Sequence, residues 1–283
     1  SNQKLLYDAL YHAASATLNE LAKDAKYLGA NIGYICILHT WGSAMNYHPH
    51  IHTIVLGGGL DDENKWKETG GKFFLPYGVI SKVFRGKYLD ELKSLWNDSK
   101  LKFHGTAEKY QNSYRFKELL DKCYEKNWVT YCKETFNGAQ SVINYLGKYT
   151  HRIAISNHRI KSMTDTTVTY VVKDYKNEGC WKEKTISGEE FIRRFMMHVP
   201  PKRFVRIRHY GLLSCRNKRK KITHCRNLLG CKKYISTLKN LNAIEMIKVL
   251  YHIDVCKCSS CGGNMVSPRK DKYSSSFRAH MRC

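Results

Sequence analysis

The sequence predicts an α+β fold built on a mainly antiparallel sheet. Helical and strand-like stretches alternate through the first 200 residues, and the first two strand candidates are neighbours joined by a polar link, the pattern of an antiparallel pair rather than of crossover units. Hydrophobic content of 42% supplies a packed core and excludes wholesale disorder. No apolar run approaches the roughly 20 residues that cross a bilayer, so no membrane partner is expected.

Residues 3–27 carry Leu, Ala and Tyr at helical spacing and read as an amphipathic helix. Residues 32–38 (IGYICIL) and 50–56 (HIHTIVL) read as strands, the second closed by a turn at Gly57–Gly59. The glycine run lacks the spacing and the lysine of a phosphate cradle. Residues 61–74 look turn-like. Helices are expected at 78–97 and 112–125, a strand at 127–132, and a short helix at 138–149. Strands are expected at 152–156, 166–173 and 182–187, then a helix over 188–198 started by Ser187. Residues 202–234 are basic and without a firm period; 240–253 is helical, and 256–283 is a cysteine-bearing tail. The expected domains are 1–200 and the basic, cysteine-bearing 201–283.

Charge is the first functional clue. With 48 Lys+Arg against 24 Asp+Glu the chain carries +24, and nucleic acid is the commonest polyanion to match it. The 11 cysteines are odd in number and clustered toward the end. With no secretory leader read ahead of them, they favour metal over disulfides and a reducing compartment.

The histidines of Asn46-Tyr47-His48-Pro49-His50-Ile51-His52 are the most informative feature. Side chains two apart on a strand share a face. His50 and His52 therefore project together with Ile51 turned away, and two imidazoles a strand-step apart can hold one divalent cation. Pro49 marks a strand start or an edge. His48 joins the face if the strand reaches it. Tyr145 and Tyr149 lie four apart, on one face of a helix; such pairs are more often packing residues than catalysts.

Taken together, "LHTWGSAMNYHPHIHTIVLGGGL" (38–60), "VINYLGKYTHRIAIS" (142–156) and "EFIRRFMMHVPPKRFVRIRHYGLL" (190–213) resemble the two-tyrosine HUH transposases of rolling-circle insertion sequences, relatives of the helitrons. The resemblance runs over about residues 10–213, with a weaker match at "CSSCGG". It implies an HUH endonuclease core, an antiparallel sheet flanked by helices with the tyrosine helix across the metal. It implies His50 and His52 as the metal pair for Mg²⁺ or Mn²⁺, and Tyr145 and Tyr149 as nucleophiles. A third ligand is expected, His48 first by strand geometry, with Gln140 and His39 as alternatives. Lys148 and Arg152 are candidates for phosphate contacts. The partner implied is single-stranded DNA at transposon ends and target, nicked and joined through a 5′-phosphotyrosine, in a bacterial cytoplasm at the nucleoid. Family members generally carry a zinc module before the catalytic domain, which this sequence is expected to lack.

Downstream, Arg216–Lys221 (RNKRKK) concentrates positive charge, so DNA affinity should fall steeply with salt. At the end, Cys258-x-x-Cys261, 18 residues and His280-x-x-Cys283 have the spacing of a structural Zn²⁺ site. Cys256, Cys215, Cys225 and Cys231 are rival ligands. Competing readings are a replication initiator or relaxase-like nickase, a non-catalytic DNA-binding remnant of the fold, and a zinc hydrolase. The last lacks HExxH or a carboxylate base near His50.

Overall fold

Residues 2–70, 75–132, 139–150, 154–174, 179–232, 238 and 240–265 are described by a computed structural model, with backbone alone for 139, 140 and 148–150. The elements are α1 (Gln3–Lys23), β1 (Asn31–Trp41), β2 (Tyr47–Leu60), β3 (Trp66–Glu68), α2 (Tyr77–Asn97), α3 (Ser113–Glu125), α4 (Ala139–Thr150), β4 (Ile160–Met163), β5 (Thr167–Asp174), β6 (Cys180–Ser187), α5 (Gly188–Met196), β7 (Ile207–Gly211), α6 (Lys218–Leu228) and α7 (Ala243–Tyr251). The fold is α+β, and every strand pairing is antiparallel. Two compact units divide it, Ser1–Cys231 and Lys232–Cys283.

The first unit holds two sheets, ordered β3-β2-β1-β7 and β4-β5-β6. One face of the larger sheet is closed by α1 and α2. Tyr7, Leu10, Tyr11, Leu18 and Leu21 of α1 recur at helical spacing and bury against Tyr34, Cys36 and Leu38 of β1, with Ile51 and Val55 of β2 alongside. Each fully buried Leu is worth about 1.5–3 kcal/mol. Buried phenols are anchored as well. Tyr11 donates to the Arg206 carbonyl and accepts the Leu38 N–H at 2.9 Å, tying β1 to the segment entering β7. Strand alternation sends Ile37 and His39 of β1, and His50 and His52 of β2, to the opposite face, on the strand that α4 packs against.

The second sheet and α5 enclose their own core of Met45, Ala154, Tyr170 and Val172. Ser187 caps α5 by accepting the Glu190 N–H at 3.3 Å, as expected.

Several expectations need correction. Gly57–Gly59 is no turn: β2 runs through it, because Trp66 and the β1 backbone lie so close that a Cβ at Gly58 would stand 2.4 Å from the Trp66 ring. The stretch read as turn-like contains β3. Residues 127–132 form no strand; the segment is tied to the helices instead, the Ser81 hydroxyl donating to the Trp128 carbonyl and Trp128 Nε1 donating to the Cys123 carbonyl. Of the strand expected at 152–156, residues 154–156 are irregular and the rest lies outside the described residues. β4, β7 and α6 went unread. The sheet-closing strand β7 also lies beyond the expected boundary at residue 200. β7 is obscured because Arg208 sits at an inward position, its guanidinium over the Tyr11 ring and paired with Asp8.

In the second unit, Asn242 and Glu245 form a reciprocal capping box that opens α7. Beyond it, Cys256–Met265 folds as a tight hairpin with Lys257 bridging Asn264. Cys258 N–H donates to the Gly263 carbonyl at 2.8 Å, and Gly262 N–H to the Cys258 carbonyl at 2.9 Å. No disulfide joins the described cysteines, and no described helix is long and apolar enough to cross a membrane.

Candidate metal and tyrosine site

The β1–β2 register places His39 directly opposite His50 and Ile37 opposite His52. Cross-strand partners share a face, so His39 joins the two β2 histidines from the neighbouring strand. Their ligand atoms all lie within 4.8 Å of one another, the only such group of three among the described residues. His39 is 4% exposed and its ring stacks on Trp41, centroids 4.7 Å apart.

His48 stands outside this group. Between the pairs His39–His50 and Trp41–Tyr47, β1 advances two residues and β2 three, a bulge at His48–Pro49 that breaks the period-two rule. Pro49 is tolerated because β2 is an edge there, β3 pairing only with Gly58–Leu60. The His48 ring is exposed; its contribution is the backbone carbonyl, 2.7 Å from His50 Nδ1.

That contact sets the proton pattern. A carbonyl only accepts, so His50 Nδ1 carries the proton and Nε2 the lone pair. His50 Nε2 lies 3.0 Å from His52 Nε2, and His52 Nδ1 lies 2.8 Å from the Tyr145 hydroxyl. Without a metal, the consistent chain runs Tyr145 O–H to His52 Nδ1, His52 Nε2–H to His50 Nε2, and His50 Nδ1–H to the His48 carbonyl. Both imidazoles are held neutral. Burial, with the neighbouring His50, pushes His52 down to about 4. Burial also lowers His50, aided by His48 and opposed by the His48 carbonyl bond. Three imidazoles with their ligand atoms this close together are a fitting donor set for a divalent transition ion.

Tyr145 is half-buried on α4, its ring centroid 6.2 Å from that of His52. The helix thus brings one of the two expected tyrosines to the histidines. The side chains of Gln140, Lys148 and Tyr149 lie outside the described residues, as do Arg152, His280 and Cys283. Cys258 and Cys261 are described and lie on one tight hairpin. His39 is the residue that strand periodicity within β2 could not select. Its signal is pairing across strands, visible only once the turn between β1 and β2 is fixed.

The family model described as "Putative transposase" (Y2_Tnp) matches residues 33–221, two thirds of the sequence, a span that includes His39, His50, His52, Tyr145 and Tyr149. The chain belongs to this transposase family. Among curated relatives, the chain is 40% identical over 230 residues to "Putative transposase y4qJ" of Sinorhizobium fredii, covering 81% of this chain and 58% of that one. It is 28% identical over 264 residues to "Transposase for insertion sequence element IS801" of Pseudomonas savastanoi pv. phaseolicola, covering 92% of this chain and 62% of that one. The chain therefore spans about three fifths of the length of these relatives. No solved structure matches it.

Proposed function

We propose that the chain nicks and joins single-stranded DNA at transposon ends, as a metal-dependent HUH-type strand transferase. The observation that carries this reading is the Tyr145 hydroxyl at 2.8 Å from His52, a member of the histidine triad. A nucleophile and a cation site within one side chain of each other are what phosphodiester cleavage by a tyrosine requires.

His39, His50 and His52 would hold the cation, Mn²⁺ or Mg²⁺. When bound, such an ion supplies Lewis-acid polarisation of a phosphate oxygen and offsets charge in the transition state. The chain's own residues do the rest. Tyr145 loses its hydroxyl proton and its oxygen attacks phosphorus in line. The new bond is a 5′-phosphotyrosine; the bond that breaks frees the 3′-oxygen, which leaves protonated as a 3′-OH. Because the phosphodiester energy is kept, a 3′-OH can later reverse the step on another strand, which gives joining without ATP. Tyr149, on the same helix, would serve as second nucleophile and hold a second end.

The DNA backbone is assigned to basic residues: Lys148 and Arg152, neighbours of the tyrosines in sequence, and Lys218–Lys221 on the first turn of α6. We assign a structural Zn²⁺ to Cys258 and Cys261 with His280 and Cys283. The tight hairpin holding the first pair supports it. The setting is a bacterial cytoplasm, at the nucleoid.

Incubation with single-stranded transposon-end DNA and Mn²⁺ tests the reading. A protein–DNA band that survives denaturant is expected, with strand transfer between two ends. Nicking at a plasmid origin without transfer would favour a replication initiator, and DNA binding without nicking a non-catalytic remnant.

A further inference from the structure

The β1–β2 turn that joins His39 to His50 and His52 is gripped from outside its own sheet. Met45, at its tip, is fully buried with a φ of 54°, in the left-handed region that non-glycine residues seldom adopt. Its side chain sits in the core of the second sheet and α5. The three consecutive carbonyls of the turn are each taken by a side chain from that layer. Arg159 Nη2 donates to Ser43. Arg194 Nη1 at 3.1 Å and the Tyr170 hydroxyl at 3.3 Å donate to Ala44. His198 Nε2 donates to Met45 at 3.2 Å. His198 Nδ1 then accepts the Thr40 hydroxyl at 3.2 Å, next in sequence to His39.

The same core reaches both halves of the site. Trp41 packs against it and stacks on His39 with an interplanar angle of 17°. Ala154 and Ile155, which follow the tyrosine helix α4 in the chain, belong to it too. One small hydrophobic core therefore holds the tip of the histidine hairpin and the chain leaving the tyrosine helix.

We propose that the second sheet with α5 is a positioning module: through Trp41, Met45, Arg159 and His198 it fixes the His39 imidazole against His50 and His52, and sets α4 relative to them. None of these four is assigned a place at the reacting atoms. Residues that orient a ligand from behind typically change metal affinity 10–100-fold when removed. The proposal rests on the reading of the triad as a metal site, so its test is metal binding, not DNA cleavage.

The experiment is Mn²⁺ titration of the full chain followed by electron paramagnetic resonance, with pulsed measurement of the number of bound imidazole nitrogens. The variants are Trp41→Leu, Trp41→Phe and Arg159→Gln, each checked for folding by circular dichroism. Trp41→Leu and Arg159→Gln should bind Mn²⁺ at least about 10-fold more weakly and with one imidazole fewer. Trp41→Phe, which keeps an aromatic ring on His39, should restore both. A fold-wide weakening would leave the folded fraction with all three imidazoles, so ligand number separates positioning from stability. If one variant fails to fold, the other carries the same expectation. Wild-type affinity and ligand number in both folded variants would overturn the positioning role alone. A wild-type chain that binds no Mn²⁺ would overturn the metal reading and this proposal with it.

Discussion

His52 and Tyr145, 93 residues apart in sequence, meet at 2.8 Å between Nδ1 and the phenolic oxygen. The contact joins two elements with different proposed chemistry, a strand whose histidine face would hold a cation and a helix whose phenol would be the nucleophile. It also yields a separable pair of variants. Tyr145→Phe should leave Mn²⁺ affinity within about threefold of wild type, since the phenol is no ligand, while reducing adduct formation to what Tyr149 supplies. His52→Ala should abolish both. Calorimetry and a denaturing gel on the same preparations decide it.

His39 and His48 make opposite predictions. His39→Gln removes a ring that lies opposite His50 and should weaken Mn²⁺ at least about 10-fold, the scale of changes to a metal's surroundings. His48→Ala keeps the backbone carbonyl that His50 uses and should change affinity by less than about threefold. Equal losses in the two variants would return His48 to the ligand set.

Acid should destabilise the metal-free protein through its histidines. Burial lowers His50, His52 and His198 in the folded state, His52 to about 4. The unfolded chain titrates these groups near 6.5. A depressed folded value means the unfolded state binds more protons between the two values. The contribution is thus complete above about 6.5 and lost as pH falls from there toward about 4. Melting in EDTA should show a lower Tm at pH 5 than at pH 7.5, and a smaller drop in the His50→Asn/His52→Asn double variant. An equal drop in both proteins would assign the acid sensitivity elsewhere, for example to Asp8. There burial raises the carboxyl, but Lys4 and Arg208 together hold it below the usual range.

Gly211 ends β7 at a φ of 58°, and a Cβ there would stand 1.8 Å from the Ile32 carbonyl oxygen. Gly211→Ala combines left-handed strain with a backbone clash and should cost at least about 1–2 kcal/mol. At roughly 2–4 °C per kcal/mol for a chain of this size, differential scanning calorimetry should record a fall of several degrees. An unchanged Tm would mean β7 does not close the sheet this way.

The C-terminal hairpin predicts one equivalent of zinc that survives dialysis and is lost in Cys258→Ser. Elemental analysis of freshly purified protein reads it directly, and absence of zinc from the wild type would refute the assignment.

Much of this was legible in the residues. Period 3.6 in Tyr7, Leu10, Tyr11 and Leu18 marks α1, and period two in His50-Ile51-His52 separates the histidine face from the core face. What local patterns could not carry was pairing between distant segments. His39 enters the triad through register across the 42–46 turn, and the bulge at His48–Pro49 cancels an alternation that the sequence shows as unbroken. Gly57–Gly59 reads as a turn on composition, yet close approach by Trp66 makes glycine the residue a strand needs there. α6 opens with Lys218-Arg219-Lys220-Lys221, four cations that hide any apolar stripe. The second sheet's hold on the turn depends on carbonyls, which no side-chain pattern records.

Mapping the covalent adduct shows whether a phenol acts beside a histidine-held cation. After reaction with single-stranded DNA and Mn²⁺, trypsin cuts after Lys148 and so places Tyr145 and Tyr149 on different peptides. The expected product is a nucleotide linked through its 5′-phosphate to the Tyr145 peptide or the Tyr149 peptide, absent when EDTA replaces Mn²⁺. A nucleotide on any other residue, or an adduct that persists in the Tyr145→Phe/Tyr149→Phe double variant, would contradict it.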